Sequence, residues 1–193
     1  MSSVAVIVPP EDIVSIDEVR RHLRLDDTRE DDTAMAFVCA ALSHVDAPRA
    51  KWFGRAIGVQ TLEWRGSCFG LGGYLRPPFS PVISVASIKY VDGDGVEQTL
   101  PPDDYEVFDD RIWIKPGQCW PAVGFYPDAV RVRYVAGFGT VEGGNDVPDP
   151  IKVAVLMHAA TLYENRSSVV LGDAGSYLPH GYEALLLPYR VWA

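Results

Sequence analysis

The hydrophobic period of this chain changes twice, and that change restricts the architectures open to it. Near the start, Ile16, Val19 and Leu23 share one helical face, and Met35, Val38, Leu42 and Val45 follow at the same spacing. From Ile57 to Ala136 the period falls to two while glycine and proline become frequent, which is the pattern of β-hairpins joined by turns. Helical spacing returns after Pro150. A chain patterned in this order predicts an α+β fold: a helical core built from an N-terminal helix pair plus C-terminal helices, with an inserted antiparallel β-sheet and hairpin region. The expected divisions are an N-terminal helical part at 1–56, an inserted β region at 57–147, and C-terminal helices with a tail at 148–193 that pack with 1–56 as one core.

Local signals fix several boundaries. Ser15 and Glu18 form a capping box, with Val14 and Val19 where a hydrophobic staple would close it. Asp31 and Asp32 suit the positive end of a second helix, which Pro48 ends, and Gly54 is placed to cap the turn that follows. In the β region, Val85–Val91 and Val96–Leu100 flank Asp92-Gly93-Asp94-Gly95, and Tyr105–Phe108 and Arg111–Ile114 flank Asp109-Asp110. Val130, Val132 and Tyr134 alternate with Arg131 and Arg133, so this strand has one buried face and one wet face. The two arginines are expected to face the acidic hairpins. A third helix is expected with Asp149 as N-cap and Pro150 in its first turn, running to about Asn165. Its apolar residues, among them Ile151, Val153, Leu156 and Tyr163, leave little polar face, so it belongs in a core or between subunits. After a loop over 166–179, a short helix at Tyr182–Leu187 precedes Pro188 and the tail Tyr189-Arg190-Val191-Trp192.

Composition narrows the function classes. A chain of 193 residues with 48% hydrophobic content can bury a core without disulfides or a structural metal. Cys39, Cys68 and Cys119 are odd in number and lack CxxC spacing, which predicts neither a disulfide framework nor a cysteine zinc site and fits a reducing compartment. Residues 4–8 are the only apolar run near the start, too short for a signal peptide, and nothing else reaches the length of a membrane span, so a soluble protein is expected. A net charge of −9 has the wrong sign for a protein that grips phosphates. The segment from Asp92 to Asp110 holds eight carboxylates and no Lys or Arg, so one face or edge is expected to be strongly negative.

Motifs for chemistry are missing from the residues. Neither Gly70-Leu71-Gly72-Gly73 nor Gly172-Asp173-Ala174-Gly175 has phosphate-loop spacing, and no GxSxG elbow occurs. His22, His44, His158 and His180 are scattered, and His158, on an apolar helix, reads as a hydrogen-bonded core residue. Asp92 and Asp94 resemble the start of a calcium loop without its later glycine and glutamate. The pairs Asp103-Asp104 and Asp109-Asp110 sit in turns, not across a cleft. Cys39 lies beside the Val38 and Leu42 stripe and reads as a packing residue. Asn165-Arg166-Ser167 matches a glycosylation sequon, which has no meaning without secretion. No catalytic, cofactor or metal site is predicted.

A longer pattern carries more. In order, the chain holds Ser15, Glu18-Val19 and His22-Leu23-Arg24-Leu25, then Gly54-Arg55-Ala56-Ile57, Gln60-Thr61 and Arg76-Pro77-Pro78. The sheet adds Ile88-Lys89-Tyr90, Asp92-Gly93, Tyr105, Trp120-Pro121 and Val130-Arg131-Val132-Arg133-Tyr134, leading to Ala136-Gly137-Phe138-Gly139 and Val147-Pro148. Tyr163-Glu164-Asn165-Arg166, Leu178-Pro179 and Leu185-Leu186-Leu187-Pro188-Tyr189-Arg190 complete it. In joint order and spacing over most of its length, the sequence resembles the head-tail connector (adaptor) proteins of tailed phages and related gene transfer agents.

That resemblance implies a non-enzymatic virion protein of the neck, made in the host cytoplasm and assembled as a ring of about twelve subunits. Its implied partners are other copies of itself, the portal protein, and a stopper or tail-terminator protein. DNA would pass through the channel without specific binding, and neither a cofactor nor a membrane is involved. Leu156, Tyr163, Tyr189, Arg190 and Trp192 are the expected subunit contacts, since aromatic and arginine anchors dominate interface energies. Asp92, Asp94, Asp103, Asp104, Asp109 and Asp110 are the expected negative channel or rim, which would keep passing DNA from adhering. The loop from Ser167 to His180 is expected to order on assembly. The alternatives are a head-tail stopper or tail-completion protein of the same neck, and a small-ligand or enzymatic module using the β region.

Overall fold

The computed structural model describes residues 3–49, 53–70, 72–140, 144–166 and 180–191. It is a mixed α+β structure, with four helices and two antiparallel sheets among the described residues. The chain divides into two compact units, one made of Met1–Glu11 and Arg55–Asp146, the other of Asp12–Gly54 and Val147–Ala193. None of the described helices is long and apolar enough to cross a membrane.

The first unit is β. Its strands are β1 (Ser3–Val8), β2 (Gln60–Gly66), β3 (Tyr74–Leu75), β4 (Val82–Val91), β5 (Glu97–Thr99), β6 (Tyr105–Phe108), β7 (Arg111–Ile114) and β8 (Val130–Ala136). A five-stranded sheet runs β1-β2-β8-β4-β5 and a three-stranded sheet runs β3-β7-β6. Strand β1 was not expected. Its apolar run lacks alternation because it lies at an edge, where Val6, Ile7 and Val8 stay exposed while Val4 packs against the core.

Both expected hairpins form, each for a visible reason. Asp92 ends β4 by folding its carboxylate back on the loop, where Oδ1 accepts the N–H groups of Asp94 and Val96 at 3.0 and 2.9 Å. Asp109 and Asp110 both adopt the left-handed region, at φ 52° and 59°, as a two-residue hairpin turn between twisted strands requires. Asp110 also accepts the Val82 N–H at 2.8 Å, which ties the β6–β7 turn to the start of β4. On β8 the alternation is realised: Val130, Val132 and Tyr134 are buried, and with Leu62, Ile88 and Ile112 they form the core of this unit. Phe69 stacks on Trp120 at its margin, with ring centroids 4.7 Å apart.

The second unit holds the helices α1 (Ile16–Leu23), α2 (Asp31–Val45), α3 (Asp149–Glu164) and α4 (His180–Leu186). Ser15 caps α1 with the full reciprocal capping box, and Val14 and Val19 are both buried as a staple would have them. Asp31 does more than favour a helix terminus: it takes a two-pronged ion pair from Arg20, which joins α1 to the first turn of α2. Helix α2 stops at Val45 with Asp46 as C-cap, ahead of Pro48.

Helix α3 starts one residue earlier than the sequence suggests. Pro148, at φ −55° and ψ 135°, is the N-cap, so Asp149 and Pro150 lie inside the first turn and Asp149 makes no side-chain cap. A proline there is tolerated because the first N–H groups have no partner within the helix. Helix α3 packs against α2 and α4 and touches α1. After α4 the chain turns once as a 3-10 helix at Leu187–Tyr189, so Pro188 alters the helix type and does not end the turn. The Val191 N–H then reaches the Phe53 carbonyl at 3.0 Å, and the Val191 carbonyl oxygen would lie 2.8 Å from any Cβ at Gly54. Cys39 is exposed, against expectation, because one step beyond the buried Val38 turns it about 100° away from the packed stripe of α2. Of the expected loop over 166–179, residues 167–179 lie outside the described residues, as do Trp192 and residues 50–52.

Candidate functional site

Strand β8 places Arg131 and Arg133 on the face of the five-stranded sheet opposite Tyr134. Register sets Arg133 between Glu63 and Ser87, and Arg131 between Arg65 and Lys89. Glu63 is buried and takes ion pairs from Arg65 at 2.7 Å and Arg133 at 2.9 Å. Burial of Glu63 opposes its ionisation, but the two guanidiniums outweigh that and hold its carboxyl below the usual range. Glu97 takes Lys89 at 2.8 Å and Arg131 at 3.1 Å, and the hydrogen bond from Lys89 lowers its pKa most. Arg131 therefore meets an acidic hairpin as expected, whereas Arg133 instead meets Glu63 on β2. The sequence reading missed Glu63, Arg65 and Lys89. Their signal was present in Glu63-x-Arg65 beside Arg131-x-Arg133, which put four charges on one face of two neighbouring strands.

The carboxylates expected to form a negative surface are spread along two hairpins. Asp92 is spent on its turn, with Gln98 Nε2 also donating to Oδ2 at 2.9 Å, and Asp110 is spent on Val82. Asp94, Asp103 and Asp109 are exposed, Asp104 is half-buried, and Asp109 lies 3.9 Å from Arg111. No group of three His, Cys, Asp or Glu among the described residues is arranged to hold a metal ion.

The expected contact residues have varied surroundings. Leu156 is buried in the helical unit, with Ile151 and Val155 of the same helix. Tyr163 is half-buried, donates its hydroxyl to Glu30, meets Phe37 edge-on and carries Arg166 over its ring at 4.5 Å. Tyr189 and Arg190 are half-buried in and after the 3-10 turn, and Trp192 lies outside the described residues.

His158 sits in the core of the helical unit, 5.1 Å from the His44 ring and 5.2 Å from the Tyr182 ring, both edge-on. The sequence predicts a hydrogen-bonded histidine, yet neither its Nδ1 nor the Tyr182 hydroxyl finds a partner among the described residues. Burial, with His44 adding to it, lowers the His158 pKa, and burial pushes Tyr182 up to about 12. The folded state thus resists protonating His158 while the unfolded state does not. Stability is present above the ordinary histidine value of 6.5 and falls as pH drops through it, by at most about 1.4 kcal/mol per pH unit. Denaturation of the native protein between pH 7 and 5 should show this slope, and His158→Phe should flatten it. An unchanged slope in the variant would assign the effect to other groups.

These features define a class: a mixed α+β protein whose charged groups are gathered on a broad sheet face and in exposed hairpins. No protein-family model and no curated protein matches the sequence. Solved structures do. A chain in the neck of an empty gene transfer agent (GTA) particle, computed with C6 symmetry, has a TM-score of 0.74 and 24% identity, covering 100% of this chain and 96% of that one. A chain in the virion of a native GTA particle gives 0.75 and 22%, covering 98% and 96%. One in the neck of a native GTA particle, computed with C12 symmetry, gives 0.68 and 22%, covering 97% and 96%. The chain shares their fold over its full length.

Proposed function

We propose that this chain is a structural virion protein without catalytic activity: a head-tail connector adaptor that docks as a ring on the portal. It forms part of the neck channel, to which the tail or the next neck protein attaches. The observation that carries this reading is the full-length likeness of fold to chains from particle necks. The ordered motifs along the sequence support it independently. In this reading Tyr189, Arg190 and Trp192 supply subunit contacts, together with the half-buried Tyr163 of α3, whereas Leu156 is covered within its own unit. Asp94, exposed in the β4–β5 turn, gives the channel or rim negative charge. At −9 per chain, about twelve copies would carry on the order of −100, enough to keep passing DNA from adhering.

Deleting the gene from its phage or particle genome and imaging the products by negative-stain electron microscopy tests the role. Filled heads and finished tails that never join are expected. Normal infectious particles would overturn the proposal. Heads that retain a ring on the portal but lose their DNA would instead favour the stopper role.

A further inference from the structure

We propose that the charged face of the five-stranded sheet receives the β6–β7 hairpin, with the Pro102–Asp104 turn before it, from a second copy of this chain. The inference rests on the ring reading above and names a further surface between neighbouring subunits, in addition to the helical contacts proposed there.

The face holds Arg65, Lys89, Arg131 and Arg133 against only Glu63 and Glu97. Each carboxylate is already shared by two cations, so the face keeps positive charge in a chain of net −9. The four cationic side chains remain 40 to 46% exposed, so their outer donors are free to meet a partner's acceptors. Ala5, Ser87 and Thr99 share this face by register, and such short side chains let another backbone come close.

The hairpin supplies what the face lacks. The side chains of Asp103, Asp104 and Glu106 make no hydrogen bond or ion pair among the described residues, and Asp109 has only the long contact to Arg111. Next to Asp109, Phe108 is 71% exposed at the hairpin tip, an apolar anchor beside the acids. Donor and acceptor surfaces are different parts of one subunit, which is the condition for a heterologous contact that repeats head to tail and closes into a ring. Contacts between opposed charges also steer docking and choose the partner, and they weaken with salt.

Sedimentation velocity of the purified protein at low salt tests this with paired charge reversals. The native chain is expected to form a ring. Lys89→Glu/Arg131→Glu/Arg133→Glu alone, and Asp103→Lys/Asp104→Lys/Glu106→Lys alone, should each lose it. Mixed in equal amounts, the two variants should regain it, because each then offers the charge the other requires, giving alternating copies and an even subunit number. The hairpin variant disturbs no ion pair. Its circular dichroism should therefore stay native, and Lys89→Glu alone replaces the face variant should that one unfold.

A ring that persists in the folded hairpin variant would overturn the inference, as would folded variants that fail to reassemble on mixing. A face variant that keeps its ring but no longer retains double-stranded DNA would assign the face to phosphates, and overturn it too. A native chain that stays monomeric at every concentration would instead sink the ring reading itself.

Discussion

Tyr134→Ala is expected to cost about 3 to 5 kcal/mol, a large fraction of the roughly 5 to 15 kcal/mol by which a typical domain is stable. Tyr134 lies in β8, the middle strand of the five, and is fully buried with Leu62, Ile88 and Val132 in the same cluster. Removing the ring opens a cavity that a sheet paired on both sides of β8 has little freedom to close. The hydroxyl is not idle, since it donates to the Pro78 carbonyl, and burial holds its pKa far above the ordinary tyrosine value. Tyr134→Phe keeps the ring and loses one buried hydrogen bond, so it should cost only about 1 kcal/mol. Urea denaturation followed by fluorescence reads both, because Trp64 and Trp120 pack against the same cluster. If the alanine and phenylalanine variants were equally stable, the ring would not be the keystone of this core.

The legible parts of the fold are those that local chemistry fixes. Ser15 and Glu18 announce α1 because both halves of the box lie within one turn. Asp109-Asp110 announces its hairpin because two residues that tolerate positive φ stand between alternating runs. Strand β1 was invisible for the opposite reason: its partner is Thr61–Arg65, far along the chain, and an edge strand needs no alternation. Asp149 was misread as a cap because Pro148 and Pro150 both fit a helix start, and only backbone geometry chooses between them. At the surface, Leu156 and Tyr163 show why contact residues resist sequence reading. The same apolar spacing serves a helix core and a subunit interface, and here Leu156 is already covered within its own unit. The charged sheet face could have been found from alternation, but its excess of cations emerges only when β2, β4, β5 and β8 are laid side by side.

Gly137→Ala is expected to be comparably severe, at about 3 kcal/mol or more, through a different mechanism. Gly137 follows β8 at φ 130°, a conformation that side chains rarely tolerate. A Cβ there would lie 2.7 Å from the Gly58 carbonyl carbon and 2.8 Å from Val59 Cα, and backbone cannot step aside as a flexible side chain can. The approach is close because the chain is held on both sides: the Gly137 N–H donates to Pro81 at 3.0 Å, and the Phe138 N–H donates to Ile57 at 2.9 Å. Gly95, at φ 82° with nothing near its missing Cβ, is the control. Its alanine variant suffers backbone strain alone, about 1 kcal/mol. If thermal or urea midpoints fell equally in both variants, strain would account for everything and the close approach would carry no weight. A larger fall at Gly137 gives a physical reason for one of the ordered motifs behind the family resemblance. Along Ala136-Gly137-Phe138-Gly139, β8 leaves its sheet through a gap between the approaches to β2 and β4 that no side chain can share.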